Sequence, residues 1–227
     1  HRRAPPEPRR GWAAHYGAVA DKAQAWVYTE DFIPLSHALL QAHQTASELG
    51  VPRVSTGTGT ALRMLAAVSG ARAVLEIGTG TGVSGLWLLD GMAAGGVLTT
   101  IDCESELLPH ARRAFRGAGV PSHRTRLIAG RALDVLPRMA TGGYDMIVLD
   151  GDIAETPQYL DYAVRVLRTG GTIAIVHALW HDQVADPARR DTETVVAREV
   201  VNFLRESDQF IPAVLPVGDG LAVAVKR

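Results

Sequence analysis

The 227-residue sequence has one cysteine, few aromatic residues and almost no net charge. A single thiol, Cys103, excludes an internal disulfide and suits a protein of the reducing cytoplasm. A formal net charge of −1 provides no global field that would attract nucleic acid or an anionic membrane. No apolar run approaches the ~18 residues that cross a bilayer. We therefore expect a cytoplasmic globular protein without a nucleic-acid or membrane partner.

The N-terminal segment differs in composition from the rest of the chain. Four arginines and three prolines fall within residues 1–10, and no apolar segment typical of a signal peptide follows them. We predict that residues 1–20 form a flexible, basic, proline-rich arm. The remainder shows no internal repeat and no interior linker, so residues 21–227 are predicted to form a single domain.

Hydrophobic periodicity divides that domain into alternating helices and strands. Helical spacing predicts helices near residues 21–29, 34–49, 61–68, 84–92, 104–117, 133–139, 158–167 and 192–206. Short β-rich runs predict strands near residues 73–77, 97–101, 126–129, 146–149, 172–176, 211–215 and 221–225. Residues 55–59 are predicted to form a turn. Five strands alternating with helices indicate a doubly wound α/β fold with a mainly parallel sheet, which closes with an antiparallel hairpin.

A glycine-rich loop follows the first of these strands and opens the next helix. Its sequence runs from Glu76 to Ser84 with glycines at positions 78, 80 and 82, which let the backbone turn sharply and approach a ligand closely. The G-x-G-x-G spacing differs from the G-x-G-x-x-G of dinucleotide enzymes. A buried Glu76 would repel a pyrophosphate but would suit the ammonium group of a methionine moiety. The loop therefore favours S-adenosylmethionine over NAD.

An acidic residue, Asp102, ends the second strand twenty residues after Gly82. A carboxylate at this place can accept both ribose hydroxyls of an adenosine. The alternative is that Asp102 only caps the helix that follows it, since aspartate is a favoured N-cap residue. The spacing and the strand-end position favour the ribose, and Cys103 would then lie near the adenine.

Five segments together resemble the class I S-adenosylmethionine-dependent methyltransferases. Residues 74–84 resemble the first motif of this class, and residues 98–102 resemble the second. Residues 144–150, 167–173 and 215–221 are similar to the branch of small O-methyltransferases related to the caffeoyl-CoA and catechol enzymes, including actinobacterial members. The resemblance implies a Rossmann-like sheet of seven strands in the order 3-2-1-4-5-7-6, with strand seven antiparallel and helices on both faces. It also implies a homodimer.

The same resemblance implies which residues contact the cofactor. Val54 and Ser55 would border its methionine end, and Ser84 would bind its carboxylate. Arg131 and Ala132 would lie along the adenine. With the residues argued from the loop and the strand ends, the predicted cofactor site consists of Val54, Ser55, Glu76, Gly78, Thr79, Gly80, Ser84, Asp102, Cys103, Arg131, Ala132 and Asp150, the last beneath the sulfonium.

The sequence departs from this branch at its catalytic centre. Relatives of this kind hold a divalent metal with an aspartate that ends strand four and an Asp-Asn pair that ends strand five, and a lysine three residues after the aspartate helps to take the proton. Asp150 matches the first ligand, but Ile153 replaces the lysine and Val176-His177 replaces the pair. Because Mg²⁺ prefers oxygen ligands, we predict no metal site.

His177 and Asp150 are the predicted catalytic residues. His177 ends strand five at the expected cleft, and an imidazole titrates in the range that suits a general base. Two alternatives remain open. His177 would instead only bind a neighbouring loop, or it would hold a softer metal together with Asp150 and with Asp152 or His181.

Three functional hypotheses follow from the sequence. The leading one is an S-adenosylmethionine-dependent O-methyltransferase that acts on a small hydroxylated or phenolic acceptor without the usual metal. The second is a nicotinamide-dependent oxidoreductase, which the loop spacing disfavours. The third is a catalytically degenerate relative that binds S-adenosylmethionine and serves as a sensor or partner subunit.

Overall fold

The structure, a computed structural model, describes residues 20–227, with side chains from residue 23 onward. Residues 1–19 of the predicted arm lie outside the described residues. The helices are α1 Ala20–Glu30, α2 His37–Leu49, α3 Thr56–Val68, α4 Val83–Gly91, α5 Leu108–Gly117, α6 Ala132–Val135, α7 Thr156–Val166 and α8 Thr192–Glu206. The strands are β1 Ala73–Ile77, β2 Val97–Asp102, β3 Thr125–Ala129, β4 Tyr144–Leu149, β5 Leu167–Val176, β6 Phe210–Leu215 and β7 Leu221–Lys226. Within the described range, no helix combines the length and the apolar character needed to cross a membrane.

The seven strands form one sheet in the order β3-β2-β1-β4-β5-β7-β6. Strands β1 to β5 pair in parallel, and β7 runs antiparallel to both β5 and β6. The predicted strand order and the antiparallel seventh strand are therefore confirmed. Parallel pairing brings the carboxyl ends of β1, β2, β4 and β5 to one edge of the sheet, where ligands bind in this class of fold.

Two apolar layers cover the faces of the sheet. Because side chains alternate along a strand, Val74 and Val148 pack with α2 to α5 on one face, whereas Leu75 and Ile147 pack with α6 to α8 on the other. All four side chains are completely buried. Burial on both faces explains why these strands read as continuous apolar runs in the sequence.

The prediction of a turn at residues 55–59 is wrong, because this segment is the start of α3. The Ser55 side chain caps the helix by accepting a hydrogen bond from the Thr58 N–H at 3.1 Å. The glycines in this first turn do not break the helix; close packing against neighbouring side chains requires them. A Cβ on Gly59 would overlap the buried ring of Trp87, and one on Gly57 would meet the Glu30 carboxylate at 2.5 Å.

Helix α1 is attached to the start of α3 by the same carboxylate. Glu30 accepts hydrogen bonds from the Ser55 hydroxyl at 2.9 Å and from the Gly57 N–H at 2.8 Å. An amide at a helix N-terminus lacks an intrahelical partner, so this carboxylate satisfies a donor that would otherwise be free. The orientation of α1 is thus fixed at its C-terminal end.

Helix α5 begins four residues later than the sequence predicts. The N-cap position is occupied by Leu107, which makes no side-chain capping bond, and Pro109 lies in the first turn. Asp102 therefore does not cap this helix, and that alternative is excluded. The remaining boundaries differ from the predicted ones by a few residues, most of all in β5, which starts at Leu167 rather than at residue 172.

Candidate active site

A cavity of about 730 Å³ opens at the carboxyl ends of β1, β2, β4 and β5. Its volume is within the range of small-molecule sites. Every predicted site residue except Ser55 and Glu76 lines it, namely Val54, Gly78, Thr79, Gly80, Ser84, Asp102, Cys103, Arg131, Ala132, Asp150 and His177. The fold therefore brings together residues that are as much as 123 positions apart in the sequence, from Val54 to His177.

The glycine loop forms the floor of this cavity in a conformation that requires glycine. Gly78 has φ 97°, and a Cβ there would overlap the backbone carbonyl of Asp150 on the neighbouring strand. The Gly78 N–H donates to the carbonyl of Ile101 at 2.9 Å, which ties the loop to β2. The backbone can therefore pass between the ends of β2 and β4 only without a side chain.

The Glu76 carboxylate lies behind the wall that Thr79 and Ser84 present to the cavity. Glu76 is completely buried, and its Oε2 accepts a hydrogen bond from the Thr100 hydroxyl at 2.7 Å. Its Oε1 has no hydrogen-bond partner among the described residues. Burial raises the pKa of Glu76 to about 7, an effect that the nearby hydroxyls of Thr100 and Ser84 only partly offset. The site thus contains a buried acceptor that an ammonium donor would satisfy.

Backbone amides hold the Asp102 carboxylate at the end of β2. The Gly80 N–H donates to its Oδ2 at 2.8 Å, and the Glu104 N–H donates to its Oδ1 at 2.9 Å. Each carboxylate oxygen has two acceptor sites, so one on each remains for a hydroxyl group. This arrangement suits the paired hydroxyls of a ribose.

The side of the cavity assigned to adenine contains an ion pair that the sequence does not reveal. Arg131 precedes α6 and contacts Glu155 at 2.5 Å, and the Tyr159 hydroxyl donates to the other oxygen of Glu155 at 2.6 Å. The two hydrogen bonds lower the pKa of Glu155. Glu155 lies just before α7 and Tyr159 lies within it. This region has no sequence motif, so only the tertiary structure places the two residues beside Arg131.

The two predicted catalytic residues, Asp150 and His177, lie next to each other. The Nε2 atom of His177 is 3.5 Å from Oδ1 of Asp150. Burial, followed by the nearby carboxylates of Glu76 and Asp102, raises the pKa of Asp150 to about 8. A carboxyl group of this kind favours a positively charged neighbour, because a cation relieves the repulsion among the three acids.

A third residue in this group, Asp219, was not predicted. It lies in the turn between β6 and β7, and its Oδ2 is 3.1 Å from Nδ1 of His177. Residues 177 and 219 become neighbours because β5 and β7 are antiparallel and pair Val176 with Leu221. The sequence motif at residues 215–221 contains Asp219, but only this strand pairing indicates what it faces.

The loop that begins at His177 has an unusual backbone. Within the described chain, positive φ values at non-glycine residues occur only here: at His177 (57°), Trp180 (46°), His181 (55°) and Asp182 (61°). Such conformations carry strain and are concentrated at functional sites. The β6–β7 turn holds the loop in place, since the Leu179 N–H donates to the Asp219 carbonyl at 3.0 Å.

A second cavity of about 370 Å³ adjoins the first. Its walls are Trp26 from α1, the start of α3, the end of β5 and the β6–β7 turn. Four residues line both cavities: Arg53, Val54, His177 and His181. Ser55, predicted to border the cofactor, lines this second cavity instead. His177 consequently lies between two spaces that each suit a small molecule.

The strand ends do not offer the ligands of the metal site found in similar enzymes. Val176 is buried and apolar, and the Nδ1 of His177 is engaged by Asp219. In the range 20–227, no cluster of three or more His, Cys, Asp or Glu side chains is arranged as a metal site. One carboxylate and one imidazole do not fit the oxygen-rich octahedron of Mg²⁺.

Comparisons with known proteins agree with this geometry. A family model described as O-methyltransferase matches residues 35–227. A protein of Mycobacterium tuberculosis strain H37Rv, named as a probable O-methyltransferase, is 44% identical over 201 residues, which cover 88% of this chain and 90% of that protein. The crystal structure of a Corynebacterium glutamicum protein has a TM-score of 0.84 at 32% identity and covers 91% of this chain and 97% of that one. The O-methyltransferase TomG from Streptomyces achromogenes, solved in complex with S-adenosylmethionine, has a TM-score of 0.80 at 28% identity, over 89% of this chain and 96% of its own.

Proposed function

The chain belongs to the O-methyltransferase family and is an S-adenosylmethionine-dependent O-methyltransferase; from this premise we propose that it methylates a hydroxyl group of a small hydroxylated or phenolic acceptor, without a divalent metal and with His177 as the base. The observation that carries this proposal is the position of His177 between the two cavities, with Nε2 3.5 Å from Asp150.

The residues of the larger cavity fit S-adenosylmethionine. The unpartnered Oε1 of Glu76 offers an acceptor for its ammonium group, and the amide-held carboxylate of Asp102 offers acceptors for the ribose hydroxyls. The carboxyl groups of Glu76, Asp102 and Asp150 lie close enough together to raise the pKa of Asp150 beyond the effect of burial, and a positive charge such as a sulfonium would relieve this repulsion. When bound, the cofactor supplies an electrophilic methyl group on sulfur.

His177 supplies the proton acceptor that this transfer needs. The Nε2 atom takes the proton of the acceptor hydroxyl while its oxygen forms a bond to the methyl carbon; the carbon–sulfur bond breaks and its electron pair stays on sulfur. Asp150 and Asp219 flank the resulting imidazolium on either side, at 3.5 Å and 3.1 Å. The reaction therefore requires no lysine at position 153 and no metal-bound oxygen.

The smaller cavity is the proposed acceptor site. It adjoins His177, and the indole of Trp26 forms one wall, which favours a flat acceptor. Arg53, Asp182 and Asp219 line other parts of it, so the acceptor would also carry polar groups. The homodimer and the absence of a nucleic-acid or membrane partner stay predictions from the sequence. A charge-flanked imidazole between two cavities favours catalysis over the alternative of a degenerate cofactor-binding sensor.

Calorimetric titration with S-adenosylmethionine and with NAD, each with and without EDTA, tests the cofactor. We expect micromolar affinity for S-adenosylmethionine that EDTA does not change, and no comparable affinity for NAD. Transfer of a labelled methyl group to catechol, phenol and hydroxybenzoates, again with and without EDTA, tests the reaction.

Two variants identify the base in the same assay. His177→Gln should lower kcat by on the order of 10²-fold or more, the usual contribution of a general base. His123→Gln is the matched control, because His123 is exposed and lies before β3, at the opposite end of the parallel strands. Loss of transfer after EDTA treatment, or full activity of His177→Gln, would contradict the proposal.

A further inference from the structure

We propose that Asp219 is the positioning residue for His177: it accepts the Nδ1 proton and so leaves Nε2 unprotonated on the side of Asp150. This inference deepens the proposed function and rests on it for its catalytic meaning. Its structural content, the position of one proton on one imidazole, is tested without any methyl acceptor.

The Asp219 carboxylate is fixed by contacts on both of its oxygens. Oδ2 is 3.1 Å from Nδ1 of His177, and Oδ1 accepts a hydrogen bond from the His181 N–H at 2.6 Å. Its side chain is 19% exposed, so water has limited access to the pair. The two bonds come from the start and the middle of the strained loop, which means that one carboxylate holds both the imidazole and the backbone that carries it.

The turn that bears Asp219 is itself locked into the fold. Gly218 and Gly220 flank it, both with positive φ. A Cβ on Gly218 would meet the Ser55 hydroxyl at 2.6 Å, and one on Gly220 would overlap Leu179. The Gly220 N–H also donates to the carbonyl of Val217 at 2.8 Å. Asp219 is therefore presented to His177 from a rigid platform, which is what an orienting group requires.

The direction of the hydrogen bond follows from the chemistry of the two groups. An ionised carboxylate only accepts, and a neutral imidazole has one N–H. Asp219 makes the shorter contact, 3.1 Å from Nδ1, whereas Asp150 is 3.5 Å from Nε2, so we assign the proton to Nδ1. Nε2 then carries a lone pair, 3.5 Å from Asp150 and in the wall of both cavities. After Nε2 takes a proton, the same carboxylate stabilises the imidazolium. Asp219 acts on the reaction through His177; it does not line the larger cavity, and it lies in the wall of the smaller one.

A second histidine is close to the same carboxylate but is less well placed. The Nδ1 atom of His181 is 3.8 Å from Oδ2 of Asp219, and the side chain is 71% exposed. This distance exceeds that of a hydrogen bond. His181→Gln therefore serves as the matched control, because it removes the neighbouring imidazole and keeps the backbone N–H that binds Asp219.

Nitrogen-15 NMR of uniformly labelled protein tests the proton position directly. Long-range proton–nitrogen spectra distinguish the two tautomers, and the His177 signals are those missing in His177→Gln. We expect the Nδ1–H tautomer in the wild-type protein and in His181→Gln. In Asp219→Asn the side-chain NH₂ can donate to Nδ1, so the proton should move to Nε2. A wild-type His177 protonated on Nε2 would overturn the proposal even if Asp219→Asn does not fold.

Kinetics then separate positioning from a structural role. With catechol as the probe, Asp219→Asn should lose on the order of 10²-fold or more in kcat, because the wrong tautomer cannot accept a proton. Its Kd for S-adenosylmethionine should stay within about threefold of the wild-type value, since the cofactor contacts are untouched. An unchanged kcat, or equal losses in kcat and cofactor affinity, would contradict the proposal. Failure of every probe acceptor would refute the proposed function, whereas the NMR result would still decide the role of Asp219.

Discussion

Binding of S-adenosylmethionine should release protons, because two acids in the site, Glu76 and Asp150, are largely protonated in the free protein just below neutral pH. Burial raises the pKa of Glu76 to about 7, and burial together with two neighbouring carboxylates raises the pKa of Asp150 to about 8. The ligand brings an ammonium and a sulfonium, and a cation favours the ionised form of a nearby acid. Both groups should therefore lose their protons in the complex.

The expected number of protons follows from the two pKa values. At pH 6.5 an acid with a pKa of about 7 is about three-quarters protonated and one with a pKa of about 8 is almost fully protonated, which gives about 1.7 protons released per ligand. The sign is fixed by linkage: since protons leave on binding, ionisation of these two acids makes affinity rise with pH, most steeply below about pH 7, and the rise ends only about one unit above the higher pKa, near pH 9. The ligand's own ammonium stays charged at pH 6.5, so it does not contribute.

Calorimetry in two buffers with different ionisation enthalpies measures this number. Glu76→Gln should reduce the release to about one proton or slightly less, and Asp150→Asn should reduce it to about three-quarters of a proton. Glu48→Gln, which changes an exposed acid on α2, is the control and should leave the count unchanged. Tight binding with a release below about 0.3 proton at pH 6.5 would refute the reasoning, because the acids would then have the same protonation in both states.

Four further substitutions test the packing of the fold and one contact of the site. Gly78→Ala places a Cβ into a backbone carbonyl at positive φ, so we expect a loss of about 3 kcal/mol in the free energy of unfolding, measured by urea titration. Gly59→Ala overpacks the tryptophan of α4 and should cost about 2 kcal/mol, whereas Gly50→Ala, at φ 67° with open space around it, should cost about 1 kcal/mol; equal costs would contradict the packing argument. Arg131→Ala breaks the exposed pair with Glu155, so it should weaken S-adenosylmethionine binding on the order of threefold or more and leave the thermal midpoint unchanged, which calorimetry and thermal melts would show.

Sequence patterns predict most of this fold because the sheet is buried on both faces. Continuous apolar runs mark the five parallel strands, and the family resemblance supplies an order that no local pattern contains. The failures occur where one rule of local structure competes with another. At residues 55–59 the glycines suggested a turn, but the cap at Ser55 and the close approach of Trp87 require glycine inside a helix. Helical periodicity predicts that α5 starts at residue 104, whereas the helix begins at Leu108, with Pro109 in its first turn.

Some residues of the candidate site can be predicted from short sequence features, whereas others depend on contacts between distant segments. The glycine loop and the acids at strand ends are short-range features, so Gly78, Asp102 and Asp150 are placed correctly at the cavity from the sequence alone. Asp219 is different, because its partner lies 42 residues earlier and the pairing exists only through the antiparallel seventh strand. The tie between Glu155 and Arg131 likewise joins two segments that the sequence gives no reason to connect.

The attachment of α1 by Glu30 makes the wall of the smaller cavity, the proposed acceptor site, independent of the larger cavity. Trp26 stands on a helix that contributes nothing to the wall of the larger cavity, and the Glu30 carboxylate fastens that helix to the start of α3. Substitutions on α1 can accordingly change the shape of the smaller cavity while the glycine loop, Asp102 and His177 keep their geometry. If the smaller cavity holds the acceptor as proposed, a change at Trp26 alone would alter which molecules are methylated and would leave the cofactor site intact.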